Sequence, residues 1–143
     1  MTLAAESLTL RPRSERVRGP FLSAAAVAAA TLALHVRDPH VTHSWGVCPL
    51  YALTGIYCPG CGGLRGVNDL TDGHVGQAAS SNLLMVLAIP FAAYFFGRWA
   101  YGAWTGREVR PVPALPRGVW TGLVVLAVAF TLARNLPGSW LAP

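Results

Sequence analysis

Residues 83–104 read LLMVLAIPFAAYFFGRWAYGAW, and this stretch decides the fold class of the chain. It contains one charged side chain, Arg98, which lies close to its end. An α-helix needs about 20 consecutive apolar residues to cross the hydrocarbon core of a bilayer. Pro90 predicts a kink, and the aromatic residues near the end are typical of a membrane interface. The stretch therefore predicts a transmembrane helix over 83–104.

Two further apolar runs lie on either side of this one. Residues 20–36 read PFLSAAAVAAATLALHV without a charge, and residues 118–141 read GVWTGLVVLAVAFTLARNLPGSWL. In the last run, Trp120 and Trp140 would lie about 30 Å apart along a helix, which is the thickness of the hydrocarbon core. The first run also fits a secretory signal peptide, which is the alternative interpretation. We predict three transmembrane helices, over 20–36, 83–104 and 118–141.

Composition and charge favour the same class of protein. Of the 143 residues, 53% are hydrophobic and 12% are charged, whereas about 25% of the residues in soluble domains are charged. The net charge of +5 comes with eleven basic residues, all of them arginine. These arginines lie at the edges of the apolar runs and not along one face with interleaved aromatic residues, which disfavours nucleic acid as a partner. The predicted partner is a lipid bilayer, and a soluble enzyme is disfavoured.

The distribution of arginine predicts the orientation. Four arginines lie in the arm 1–19 and three in the Pro-rich linker 105–117, whereas only two lie in the loop 37–82. Short segments rich in Lys and Arg remain on the cytoplasmic side. We therefore predict a multi-pass protein of the cell membrane with its N-terminus and its linker in the cytoplasm. The loop 37–82 would then be extracytoplasmic.

The loop 37–82 carries the residues with chemical potential, including all three cysteines. Its stretch 45–57 is apolar but too short to span a bilayer, so we predict a re-entrant or interfacial segment. The turn 58–63, with the sequence CPGCGG, follows it. Short helices are predicted over 64–70 and around 75–81. The overall prediction is an all-α integral membrane protein with a cysteine-containing outer loop.

One hypothesis for the cysteines is a zinc site. A CPxCG turn is typical of a zinc knuckle, because Pro stiffens the loop and Gly lets backbone N–H groups approach the thiolates. Cys48, Cys58 and Cys61 would supply three of the four ligands of a closed tetrahedral site. Three histidines of the loop are candidates for the fourth, namely His40, His43 and His74.

A second hypothesis is a structural disulfide. An oxidising exterior favours a bond from Cys48 to Cys58 or Cys61, which would attach the re-entrant segment to the turn. A third is a redox pair formed by Cys58 and Cys61, with the thiolate stabilised by a helix N-terminus and by Arg65. Against the redox pair, no βαβ pattern surrounds the motif. The sequence leaves the three hypotheses open.

Two charged residues need partners of their own. Asp69 lies four residues after Arg65, so an ion pair along one helix face is predicted. Arg134 falls within the third apolar run, where a polar side chain faces either a bundle interior or the interface. Because it lies near the end of that run, we favour a side chain that snorkels to the interface.

The motifs together resemble a family of small bacterial membrane proteins classed as a domain of unknown function. That family is recognised by a CP pair, a CPGCGxxR motif, an acidic-Gly turn, an Ala-rich stretch and an Asn. The corresponding residues are Cys48-Pro49, Cys58-Pro59-Gly60-Cys61-Gly62 with Arg65, Asp72-Gly73, Ala78-Ala79 and Asn82. The resemblance covers roughly 46–100 and implies a structural role for Asn82. In such relatives Pro often follows the Asn, whereas here Leu83 does.

The resemblance implies a class of protein and no reaction. A rigid cap at the outer ends of three helices is more suited to binding than to catalysis. We predict a non-enzymatic accessory or interaction subunit, with its loop stabilised by a disulfide or by zinc, that docks another membrane protein or a second copy. Small residues in the first span would permit close helix packing. The alternative is a membrane thiol–disulfide oxidoreductase that uses Cys58 and Cys61.

Overall fold

The structure is a computed structural model that describes residues 12–41, 44–107 and 114–142. Of these described residues 72% are helical and none forms a strand, which confirms the all-α prediction. The residues in these ranges form five helices, one after another along the chain. They are α1 (Arg13–Val36), α2 (Pro49–Thr54), α3 (Gly63–Thr71), α4 (Val75–Thr105) and α5 (Arg117–Arg134).

Helices α1, α4 and α5 are long and apolar enough to cross a membrane. The best 18-residue window of each has a mean hydropathy of 1.4 to 1.6, and only 11% of each window is buried within the chain. Their apolar side chains therefore need an apolar environment such as a lipid bilayer. The three helices indicate a multi-pass membrane protein. Residues 135–141, which the sequence analysis includes in the third span, form turns after α5.

Helix α4 is interrupted at Asn82. The backbone there is extended (φ −160°, ψ 92°), so that two helical segments, 75–81 and 83–105, meet at this residue. The Asn82 side-chain oxygen accepts a hydrogen bond from the N–H of Met85 at 3.0 Å. An Asn that accepts a bond from an N–H three residues later is an N-cap, so Asn82 begins the second segment as a new helix.

The chain divides into two compact units. The first combines Met1–Ala30 with Ile89–Pro113, of which 12–30 and 89–107 are described. Within it, the guanidinium of Arg13 lies 3.4 Å from the centre of the Trp104 ring. Basic and aromatic side chains that meet in this way are typical of the interfacial ends of membrane helices.

The second unit combines Thr31–Ala88 with Ala114–Pro143 and contains the cysteine loop. Helix α3 approaches the first segment of α4 closely, since a Cβ at Gly66 would lie 3.2 Å from the carbonyl oxygen of Ala78. Most of the buried side chains in this unit are polar or charged. The buried polar and charged side chains are Asn68, Asp69, Ser81, Asn82 and Arg134. Buried polar groups need hydrogen-bond partners, and those partners define the site.

Candidate functional site

Cys48, Cys58 and Cys61 lie together although ten residues separate the first from the second. Their three Sγ atoms lie within 4.8 Å of one another. The Sγ atoms of Cys58 and Cys61 are 3.1 Å apart, and those of Cys48 and Cys58 are 3.5 Å apart. A disulfide would require about 2.05 Å, so these distances do not support the disulfide hypothesis and all three thiols are free.

The same distances suit a metal ion. Zinc–sulfur bonds of about 2.3 Å at tetrahedral angles place thiolate sulfurs about 3.8 Å apart. The described residues form one group of this kind, and it consists of the three cysteines alone. Cys48 and Cys61 border a pocket of about 450 Å³. An ion can therefore reach the thiols from outside.

Local sequence builds the cluster in two steps. Cys48 has an extended backbone immediately before α2, and Pro49 fits the first helical position because it needs no N–H partner there. The Cys58–Cys61 segment closes a tight turn through a hydrogen bond of 3.1 Å from the Cys61 N–H to the Cys58 carbonyl. Gly62 then adopts φ 76°, a conformation that favours glycine, and α3 begins. The turn thus has the shape expected of a zinc knuckle.

The thiols differ in acidity. Hydrogen bonding by the backbone N–H of Tyr51, followed by the neighbouring thiols, lowers the pKa of Cys48 to about 7. Burial, followed by the neighbouring thiols, raises the pKa of Cys61 to about 12. Cys61 therefore keeps its proton near neutral pH unless a cation stabilises its thiolate. A metal ion is such a cation.

Three side chains hold the backbone of the cysteine turn, and we call them the loop clamp: Asn82, Arg134 and Asn135. Arg134 donates to the carbonyl oxygens of Cys58 (2.9 Å), Cys61 (3.0 Å) and Ser81 (3.2 Å). The clamp therefore connects the end of α5 directly to two of the three cysteines.

The two amides of the loop clamp bind the same turn. Asn82 donates to the carbonyl oxygens of Pro59 (2.8 Å) and Cys61 (3.0 Å). Asn135 donates to the Tyr57 carbonyl at 3.0 Å and accepts from the Tyr57 N–H at 2.9 Å. Tyr57, Cys58 and Pro59 are thus each bonded by a side chain that lies between 23 and 78 positions later in the chain.

Arg134 is fully buried, so the expectation that it snorkels to the interface is wrong. Its guanidinium lies 4.9 Å from the centre of the Phe130 ring and 5.9 Å from that of Tyr57. Its position within an apolar run did indicate the alternative, which is a polar side chain that faces the protein interior. The identity of its partners has no signal in the local sequence.

The predicted ion pair between Arg65 and Asp69 does not form. Arg65 donates instead to the Pro39 carbonyl at 3.4 Å. Asp69 is buried, accepts from the Ser81 hydroxyl at 2.9 Å and lies 2.9 Å from the His40 ring. Tertiary packing brings better partners to Asp69 than the exposed turn of a helix offers, because a buried carboxylate needs hydrogen bonds.

The proposed histidine ligands do not join the thiols within the part of the chain that the structure describes. His40 is bound to Asp69. His74 borders a different, polar pocket. His43 lies outside the described residues. The observed donor set is therefore three thiols.

The fold and the site define a small multi-pass membrane protein with a three-cysteine cluster that could bind a metal ion. Residues 48–96 match the model of a family described as "Protein of unknown function (DUF2752)", so this segment, about a third of the chain, is similar to that family. The matched segment begins at Cys48 and includes the whole cluster and Asn82. Neither the curated proteins nor the solved structures gave a match. The resemblance to a domain of unknown function is thereby confirmed.

Proposed function

We propose that the protein binds one divalent metal ion, with zinc as the first candidate, through Cys48, Cys58 and Cys61. The convergence of three free thiols within 4.8 Å carries this proposal. Thiolates are soft ligands that select zinc and similar ions. The metal stabilises a cap that docks another membrane protein or a second copy of the chain. In this proposal the protein is an accessory or interaction subunit and not an enzyme.

The test of metal binding is the zinc content of the full chain purified in detergent under reducing conditions. We expect about one zinc per chain in the wild type and close to none after Cys48→Ser, Cys58→Ser or Cys61→Ser, because two thiolates hold zinc weakly. His40→Ala is the control, since its ring is bound to Asp69, and it should retain the metal. A metal-free and fully folded wild type would disprove the proposal.

The proposed orientation places the loop 37–82 outside the cell membrane and both the arm 1–19 and the linker 105–117 in the cytoplasm. The arginine counts support it. A membrane-impermeant maleimide, added to intact cells with a zinc chelator, should label the cysteines. Labelling only after lysis would mean that the loop faces the cytoplasm, which is the opposite orientation.

A thiol–disulfide oxidoreductase remains the second candidate function. The separation of 3.1 Å between the Cys58 and Cys61 sulfurs supports it. In such a reaction the two thiols form a disulfide and pass two electrons and two protons to the disulfide of a partner, which becomes two thiols. A wild type that contains no zinc and forms a Cys58–Cys61 disulfide reversibly in glutathione buffers would favour this candidate over metal binding.

A further inference from the structure

Arg134 is a buried cation, and all the bonded partners that it has among the described residues are neutral. Its terminal nitrogens donate to three carbonyl oxygens. Its Nε is buried and has no hydrogen-bond partner. The ion pairs of the described residues join histidines to Asp69 and Asp72, and none includes Arg134. Burial of a guanidinium without an anion is strongly unfavourable. The surroundings of Arg134 therefore need a negative charge, which another group of the native protein must supply.

The cysteine cluster can supply that charge. Two of the three carbonyls that Arg134 binds belong to Cys58 and Cys61, so the guanidinium lies beside the backbone of two of the three cysteines. Three thiolates carry a charge of −3, and a divalent ion among them leaves −1. Arg134 adds +1, and the site becomes neutral. A monovalent ion would leave a net −1, and a trivalent ion would leave the guanidinium without a counter-charge.

We propose that Arg134 is the counter-charge of the metal centre, so that the site takes a soft divalent ion on three thiolates. This inference rests on the proposed metal binding and deepens it, because it assigns the charge of the ion and a positioning residue. Arg134 lies at the end of α5, a candidate membrane span. The third span therefore contributes electrostatically to a site formed by the loop between the first two.

A purely structural role for Arg134 makes a different prediction. If the side chain only held the turn by hydrogen bonds, any loss of those bonds would weaken metal binding. Asn135 offers a matched comparison, because it makes two bonds to Tyr57 in the same turn and carries no charge. Arg134→Lys retains the charge without the fork of donors, whereas Arg134→Gln retains a donor without the charge.

The experiment measures the affinity of the full chain in detergent for Cd²⁺, through the ultraviolet thiolate-to-metal charge-transfer band and competition with a chelator. We expect Arg134→Gln to weaken binding by about 10- to 100-fold, since the loss of a neighbouring cation shifts thiolate stability by one to two powers of ten. Arg134→Lys should remain within about fivefold of the wild type, because it retains the charge. Asn135→Ala removes two bonds to the turn but no charge, so its loss of affinity should be clearly smaller than that of Arg134→Gln.

Equal losses in Arg134→Gln and Arg134→Lys would overturn the counter-charge role, as would a loss in Asn135→Ala as large as that in Arg134→Gln. If Arg134→Gln does not fold, the Cd²⁺ affinity of Arg134→Lys alone tests the counter-charge role. Near-native affinity supports the proposal, and a loss above about 100-fold overturns it. A wild type that binds no Cd²⁺ contradicts the proposed function itself, which separates that failure from a failure of the Arg134 assignment.

Discussion

Removal of the metal ion is expected to lower the free energy of unfolding of the wild type by about 4 kcal/mol when free zinc is about a thousand times its dissociation constant. The physical reason is that the ion binds the folded cluster, in which the three sulfurs lie within 4.8 Å, and not the separated thiols of the unfolded loop. For a chain of this size the midpoint of thermal unfolding should fall by about 10 °C. Thermal unfolding in detergent with and without a chelator measures the difference.

Cys61→Ser is the matched control for this experiment. The variant lacks one of the three thiols, so its thermal midpoint should be close to that of the chelated wild type. It should also be insensitive to the chelator. An equal fall in both proteins would mean that the chelator acts elsewhere, and no fall in the wild type would show that the ion does not stabilise the fold.

Asn82→Ala is expected to destabilise the protein by about 2 kcal/mol and to abolish metal binding. The side chain is almost fully buried at 2% exposure. Its amide donates to the carbonyls of Pro59 and Cys61, and its oxygen caps the second segment of α4. Loss of the cap costs about 1 kcal/mol, and the Pro59 carbonyl left without its donor costs about 1 kcal/mol more, whereas the Cys61 carbonyl retains its bond from Arg134. Thermal unfolding and zinc content measure the two effects.

Two further variants separate the functions of Asn82. Asn82→Asp retains an oxygen that can cap the helix but loses the donors to the turn, so the helix should persist while zinc is lost. Gln77→Ala removes an exposed amide from the same helix and should change neither quantity. Retention of one zinc per chain in Asn82→Asp would contradict the assignment of Asn82 to the loop clamp.

The interior of the second unit is polar because it must bond the backbone carbonyls of the cysteine turn. The carbonyls of the cysteine turn are not bonded within a helix or strand, and the loop clamp bonds those of residues 57–61 except Gly60. The apolar side chains of the three long helices are largely exposed. Hydrophobic burial within the chain is therefore small, and hydrogen bonds take a larger share in ordering the loop.

The sequence by itself determined the all-α class and the three candidate spans, because the ability to cross a bilayer depends on the additive hydropathy of a contiguous segment. It also selected Cys48, Cys58 and Cys61 as the candidate ligands, since thiols are the strongest zinc ligands present and two of them lie in one short turn. The sequence could not distinguish among zinc, a disulfide and a redox pair, because that choice depends on the distances between the sulfur atoms.

Only the tertiary structure decided what surrounds the cysteines. Arg134 and Asn135 lie more than 70 positions after the residues of the turn that they bind, and no local spacing signals such a contact. The spacing of four residues along a helix predicted an ion pair between Arg65 and Asp69. In the folded protein, His40 and Ser81 bond the Asp69 carboxylate instead. A buried charge takes the partners that packing provides and not those that are nearest in sequence, because desolvation makes every unbonded polar group costly.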